Sequence, residues 1–284
     1  MAKTELSGNG DPARTIATLW GTRELPRRGP RHTLTIARVV AAAVAIADDD
    51  ADLDTLSMRR VAESLGVGTM SLYTYIASRE ELVEAMLDSV YAEAVEELGA
   101  PDGAEWAEDL RRVARANWDL YMRHPWVLQV FTGRPPLGPH TIAKYERELA
   151  AVDGIGLADV EMDSVITLVH THVEGVARRR VDADRAVRRT GMTDAQWWGR
   201  VQPLIDDVFD PARFPLAARI GQAAGQEHQA AHNPEHAYAF GLERLIRGVA
   251  ALIADRRAPL ASAGGGAFSR VVDAPWATNG SMGT

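Results

Sequence analysis

The sequence predicts an all-α fold, and three observations predict it. Apolar residues recur three and four apart through most of the chain, as in Met162, Val165, Val169, Val173 and Val176. Helix-capping residues stand in front of several such runs: Ser57, Ser78, Thr193, and Asn233 followed by Pro234. No stretch alternates apolar and polar side chains in the way a half-buried strand requires.

Residues 1–34 are polar and carry Gly8, Gly10, Pro12, Pro26, Gly29 and Pro30, which predicts a flexible arm. Ile16, Leu19 and Trp20 are its docking candidates. Arg27, Arg28 and Arg31 suit either a DNA minor groove or a solvated tail, and the composition leaves both open. Thr35 then caps a helix whose buried stripe is Ile36, Val39, Val40, Ala43, Ile46 and Ala47. Asp48, Asp49, Asp50, Asp52 and Asp54 follow and predict a solvated acidic loop. They lack the central glycine and distal glutamate of a calcium loop.

Leu56–Ile76 reads as a helix-turn-helix. Ser57 caps a first helix, Met58–Leu65, with Met58, Val61, Ala62 and Leu65 on one face. Gly66 supplies the left-handed residue that ends it, and Val67 plugs the turn. Thr69 or Gly68 starts a second helix, in which Leu72 and Ile76 point inward. Thr69, Ser71, Tyr73, Thr74 and Tyr75 are left facing out, with Met70 beside them. Such short hydroxyls and tyrosines suit base edges, thymine methyls and phosphate oxygens. A helix–glycine–helix corner is common. Two exposed tyrosines on so short a helix, and the next element's start, make this one more specific. Ser78 and Glu81 form a capping box, and Arg79 sits in a first turn, where phosphate binds readily. Thr35, Arg59 and Arg79 complete the candidate DNA-facing set.

These residues resemble a known family. Thr35 to Tyr91, and above all TLSMRRVAESLGVGTMSLYTYIASREELVEAML, is similar to the DNA-binding domain of tetracycline-repressor (TetR) family regulators. The resemblance implies a three-helix head, an all-helical ligand-binding body and a homodimer. Composition and the Gly99-Ala100-Pro101-Asp102-Gly103 break set boundaries at 1–34 (arm), 35–98 (head), 99–258 (body) and 259–284 (a glycine-rich tail expected to be disordered). A long helix, Arg79–Leu98, would join head to body. The region from His124-Pro125-Trp126 through Leu137-Gly138-Pro139 to the last helix resembles the carboxy-terminal domain of tetracycline-repressor-type members. The histidines and asparagine that hold magnesium–tetracycline in that repressor have no secure counterpart here.

In the body, Trp106, Leu110, Val113, Asn117 and Tyr121 line one helix, and Ile142, Tyr145, Leu149 and Val152 the next. Asp159 is read as the cap of a long helix to about Val187. Tyr238, Leu242, Leu245, Val249 and Leu252 make a heptad-like stripe suited to a bundle seam, and are the candidate dimer interface. Trp118, Tyr121, Phe131, Tyr145, His170 and Glu174 are the candidate ligand-binding residues. His170 with Glu174, and His228 with His232, are one turn apart but are pairs, short of the three or four ligands zinc needs. No metal or other cofactor is expected. No phosphate loop, nucleophile elbow or paired-carboxylate motif supports an enzyme.

The net charge of −8 opposes nucleic-acid binding only if it is spread evenly. Residues 23–38 hold five arginines against one glutamate, beside the helix-turn-helix, so the basic charge lies where phosphates would be. The chain contains no cysteine, and no apolar run reaches the length of a membrane span. With no apolar signal core at the start, a cytoplasmic protein is expected. The expected function is a ligand-responsive dimeric repressor. It would bind an inverted-repeat duplex and be released by an unidentified small molecule. The alternatives are a regulator without such an effector and, more remotely, an enzyme with a DNA-binding-like head.

Overall fold

Ser57 accepts a hydrogen bond from the Arg60 amide at 3.2 Å, and Gly66 takes φ of 67°, so α3 spans Met58–Leu65 as its sequence dictates. The computed structural model describes residues 5–6, 11–23, 34–100, 105–131, 134–228, 230 and 232–257. Ahead of α3 lie α1 (Pro12–Leu19) and α2 (Ile36–Asp50). After it come α4 (Thr69–Tyr75), α5 (Arg79–Leu98), α6 (Trp106–Arg123), α7 (Pro139–Ala150) and α8 (Asp159–Thr190). The chain closes with α9 (Asp194–Asp206), α10 (Pro215–His228) and α11 (Pro234–Arg257). Short 3₁₀ turns at Leu53–Thr55 and Pro125–Gln129 complete the helical set. The strand-free expectation fails at one small place: β1 (Glu5–Leu6) pairs in parallel with β2 (Val130–Phe131).

The expected flexible arm is partly helical. Asp11 caps α1 by accepting from the Ala13 amide, with Pro12 in the first turn, where a missing N–H costs nothing. Thr15 and Thr18 are buried, and Thr18 donates to Glu81 of α5 at 2.7 Å. Nothing local in residues 1–34 announces this, because the partner is sixty-three residues away. Arg27, Arg28, Arg31 and the 259–284 tail lie outside the described residues.

The expected acidic loop is also partly helical. Asp48, Asp49 and Asp50 form the last turn of α2, which ends at Ala51 with φ of 50°. Carboxylates at a helix C-terminus oppose its dipole, and here two of them find donors elsewhere. Asp48 accepts from the Trp126 indole at 2.7 Å and meets His124 at 2.8 Å. Asp50 pairs with Arg60 of α3. In α8 the cap is Ala158 rather than Asp159: its amide donates to Glu161 at 2.9 Å.

The core falls into connected parts. Val39, Val40, Leu53, Val61, Leu72, Ile76, Leu82, Met86 and Leu87 build the first, and Trp126 and Val127 of the second 3₁₀ turn are buried in it. The helix-turn-helix and the segment that follows α6 therefore share one apolar cluster along α5. Fully burying a ring as large as that of Trp126 is worth on the order of 3 kcal/mol. Leu110, Val113, Ile166, Val169, Val173, Leu242, Ile246, Val249 and Ile253 form the second cluster, between α6, α8 and α11.

The expected apolar stripe of α7 divides: Leu149 and Val152 pack into the second cluster, whereas its first half turns outward. Ile142 and Tyr145 are exposed, and Lys144 and Glu148 are the buried pair on that helix. The N-terminus of α7 is held by α5: Asp88 accepts from both the amide and the hydroxyl of Thr141 at 2.8 Å. α9 and α10 bury no residue, and leave Leu204, Leu216 and Ile220 exposed, as is Val208 between them.

Candidate nucleic-acid interface and ligand-binding body

α4 is a short helix pinned from below. Leu72 and Ile76 are fully buried, and Val67 closes the turn by donating to Ala62 O at 3.0 Å. That leaves Met70, Ser71, Tyr73 and Thr74 exposed on one surface, Met70 at 79 %. Thr69 is half-buried at the first turn. Tyr75 is half-buried too and packs on the head core, so it belongs to the support of α4 rather than to its open face. Thr35 is exposed and caps α2 by accepting from the Arg38 amide at 3.2 Å. Arg59 lies open on α3, hydrogen-bonded to Glu63 at 2.8 Å.

Arg79 is placed differently from its expected phosphate role. Its guanidinium turns inward, donating from Nε to Leu56 O at 3.0 Å and from Nη2 to Leu53 O at 2.6 Å. It thus ties the start of α5 to the turn before α3. Arg23, which the sequence did not single out, donates to the carbonyls of Tyr75 at 2.6 Å and Thr74 at 2.8 Å. A cation there satisfies the free carbonyls at the end of α4 and complements its dipole. Glu81 gathers these parts. It is buried, accepts from Ala77 N at 2.8 Å and from Arg14 at 3.2 Å, and lies 3.6 Å from Arg23. The expected capping box is thus shifted by one residue: Ser78 accepts from Glu81 N at 3.1 Å, but Glu81 answers to Ala77.

The expected ligand-binding residues divide. Trp118 and Tyr121 are half-buried between clusters, with Trp118 5.0 Å from the Tyr238 ring. His170 faces inward and meets Glu148 at 2.9 Å. Tyr145 lies outside this group, its hydroxyl donating to Asp163 at 2.7 Å. Glu174 accepts from Arg178 at 2.8 Å rather than sharing a site with His170. The side chain of Phe131 is outside the described residues. Of the histidine pairs, His228 ends α10 and its ring lies tilted against that of His236, with centroids 4.8 Å apart, so His228 and His232 do not share a helical turn. Among the described residues no three histidine, aspartate or glutamate side chains gather as a metal site.

Sequence reasoning missed the polar heart of the body. Glu148 is 1 % exposed and accepts from Lys144 at 2.5 Å and Asn117 at 2.8 Å, besides meeting His170. Burial works to raise its pKa, but Lys144 and His170 outweigh that and hold it down at about 2. Lys144 also lies over the Tyr91 ring at 5.3 Å. Burial raises the Tyr91 and Tyr121 phenols above their ordinary range, and Glu148 and Glu174 add to the rise. A lysine and glutamate four apart on a helix ordinarily read as a surface pair; nothing local shows that this pair faces in. A groove of about 520 Å³ lies elsewhere, between α9 and α10, lined by Trp198, Ile205, Phe209 and Gly221. Its walls are exposed helices, so it is no enclosed counterpart of the expected cavity.

The expected seam divides as well. Leu242 and Val249 are buried in their own protomer, in line with Ile246 and Ile253. Tyr238 is partly buried against the same cluster. Leu245 and Leu252 lie beside that line, half-buried.

Residues 98–253 match the family model described as tetracyclin repressor-like, C-terminal domain. The chain belongs to the tetracycline-repressor family. It is 42 % identical over 254 residues to the HTH-type transcriptional repressor DrrR1 of Streptomyces coeruleorubidus, covering 89 % of this chain and 91 % of that one. Among solved structures, ActR of Streptomyces coelicolor in complex with actinorhodin is 27 % identical, with a TM-score of 0.64. The match spans 78 % of this chain and 99 % of ActR. Apo ActR matches over the same share of each chain, with a TM-score of 0.63 and 26 % identity. The chain is therefore an all-α, DNA-binding transcriptional regulator of this family. Among the described residues no helix is long and apolar enough to cross a membrane.

Proposed function

We propose that the chain is a homodimeric repressor that lays two copies of α4 in successive major grooves of an inverted-repeat operator and releases it when a small molecule enters the body. The observation that carries the reading is the open face of Met70, Ser71, Tyr73 and Thr74 over a fully buried Leu72 and Ile76. A helix held so rigidly on one side presents its other side at a fixed angle. DrrR1 is named a repressor, and ActR is solved with actinorhodin. Both support a ligand-responsive repressor here. We place residues 35–98 in the DNA-binding head and 99–258 in the ligand-binding and dimerisation body, in the cytoplasm, and assign no catalytic role.

The ligand-contacting group is Trp118, Tyr121 and His170, with Glu148 and Asn117 as the polar floor between α6, α7 and α8. Leu245 and Leu252 of α11, with exposed Leu168 of α8, form the seam between protomers. Binding a random duplex pool to the purified protein, then screening compounds for release with actinorhodin first, tests the whole reading. Retention of an inverted repeat with release by a compound supports it. Retention that no compound reverses removes the effector and leaves a regulator controlled by other means. Consumption of the compound would reopen the enzymatic alternative.

A further inference from the structure

One cluster outside both sites bridges head and body. His124 closes α6 and is 6 % exposed. Its Nδ1 meets Asp48 Oδ1 of α2 at 2.8 Å, and its Nε2 meets both Glu93 oxygens of α5 at 3.2 Å. A ring with a carboxylate at each nitrogen satisfies both contacts as donors only when doubly protonated. The surrounding charges are few. Arg123 lies 3.5 Å from Glu93 and 2.6 Å from Glu97, and the Trp126 indole donates to the same Asp48 oxygen. Beside it, Arg185 of α8 donates to Ala51 O at 2.8 Å, and Gln129 accepts from Leu53 N at 3.0 Å. The end of α2 is therefore gripped by α6, α8 and the intervening turn, with one titratable cation at the centre.

We propose that His124 is a positioning residue for DNA binding: as an imidazolium clamped between Asp48 and Glu93 it fixes the head on the body, and its deprotonation loosens that grip and weakens operator binding. The inference rests on the DNA-binding reading above. Neutral His124 leaves Asp48 and Glu93 facing a group that supplies one donor instead of two. Asp48 then sits, less compensated, at the negative end of α2. A head free to tilt must lose that freedom when two copies engage one duplex. Burial lowers the ring's pKa, but the bonds and charges of Asp48 and Glu93 overcome it, so the folded ring titrates above its ordinary value. The group thus stabilises the clamped arrangement fully at low pH and loses that contribution as pH rises through the raised value. No histidine lies within residues 34–98, so the head brings none of its own to this titration.

The test is operator affinity of the full chain from pH 6 to 8.5 at constant ionic strength, for the unaltered protein, His124→Gln and Glu93→Gln, with His32→Gln as a control for the arm. The unaltered protein is expected to lose affinity with rising pH, by up to about tenfold per pH unit per protomer at the steepest point. His124→Gln should be flat, and Glu93→Gln, on the rim of the clamp, should move the midpoint to lower pH. Histidine proton resonances, assigned by the His124→Gln spectrum, read the ring without DNA and should show it titrating above the exposed histidines. Profiles that superimpose for the unaltered protein and His124→Gln would overturn the proposal while leaving DNA binding intact, as would a His124 resonance titrating at or below the exposed ones. A protein that retains no duplex at any pH would overturn the DNA-binding reading and this one with it.

Discussion

The guanidinium of Arg23 donates to the carbonyl oxygen of Tyr75 across 2.6 Å, joining a segment fifty-two residues upstream to the last turn of α4. The same guanidinium reaches Thr74 O and lies near Glu81, which is buried beneath α1. α4 is thus held at its C-terminal end by a cation that belongs to neither α3 nor α5.

Replacing Arg23 with Gln should weaken operator binding by roughly five- to thirty-fold, the loss of about 1–2 kcal/mol of charge-assisted bonding. If the residue acts by orienting α4, the slope of log affinity against log salt stays unchanged. A phosphate contact would instead reduce that slope by about one. Salt titrations of both proteins decide between the two. Arg79→Ala should behave in the orienting way, with a lower melting temperature, because its donors serve Leu53 and Leu56.

Tyr73 and Tyr75 separate recognition from support. Tyr73 is 40 % exposed, whereas Tyr75 packs on the head core. Tyr73→Ala should keep the melting temperature and lose operator affinity. Tyr75→Ala should lower the melting temperature by several degrees, at a cost of about 2 kcal/mol or more. Calorimetry and duplex binding on the two variants would refute the division if their effects were exchanged.

The contrast between these residues shows what was readable in the sequence. Ser57, Gly66, Leu72 and Ile76 act through neighbours within a turn or two, so cap chemistry and periodicity placed α3, α4 and the start of α5. Arg23, Thr18 and Asp48 act through partners more than fifty positions away. Composition read the first two as part of a flexible arm and the third as part of a loop. Glu148 was hidden for a related reason. A charged i, i+4 pair has the same pattern inside or outside; only the arrival of Asn117 and His170 makes it internal.

Glu148→Gln should destabilise the fold at neutral pH by about 3 kcal/mol, since a carboxylate held at about 2 against an ordinary 4.5 stores that much. The variant also leaves Lys144 buried without its charge partner. The depressed group gives its full contribution above the unfolded value and loses it as pH falls toward 2. Denaturant melts of both proteins should therefore differ most near pH 7 and draw together below about pH 4. A gap that stays constant down to pH 3 would place the stabilisation elsewhere.

Gly138 should not tolerate a side chain, for reasons unrelated to backbone freedom. Its φ of −83° suits any residue. A Cβ there, however, would overlap the Asp88 carboxylate that caps α7 through Thr141. Gly138→Ala should displace that carboxylate and leave buried donors unanswered, at a cost of about 1–3 kcal/mol. Asp88→Asn combined with Gly138→Ala should cost less than the sum of the two single changes, since both disturb one cap. Strict additivity in thermal melts would contradict the shared-cap account.

The seam between protomers is tested by two leucines with opposite surroundings. Leu242 is buried within its own chain among Val169, Val173 and Ile246, so Leu242→Ala should cost about 2–4 kcal/mol whatever the assembly state. Leu245 stands one position from that line and is half-buried in the single chain. If α8 and α11 of two protomers pack together, Leu245→Arg places a charge in the contact, and desolvating it costs several kcal/mol. The variant should remain helical and melt cooperatively, yet scatter light as a monomer at concentrations where the unaltered protein is a dimer. Since two recognition helices must engage together to reach about one DNA turn of separation, its operator affinity should fall toward that of a single half-site. A dimeric Leu245→Arg protein with full operator affinity would move the seam off this face of α11. The exposed side chains of α9 and α10 would then be the next place to look for it.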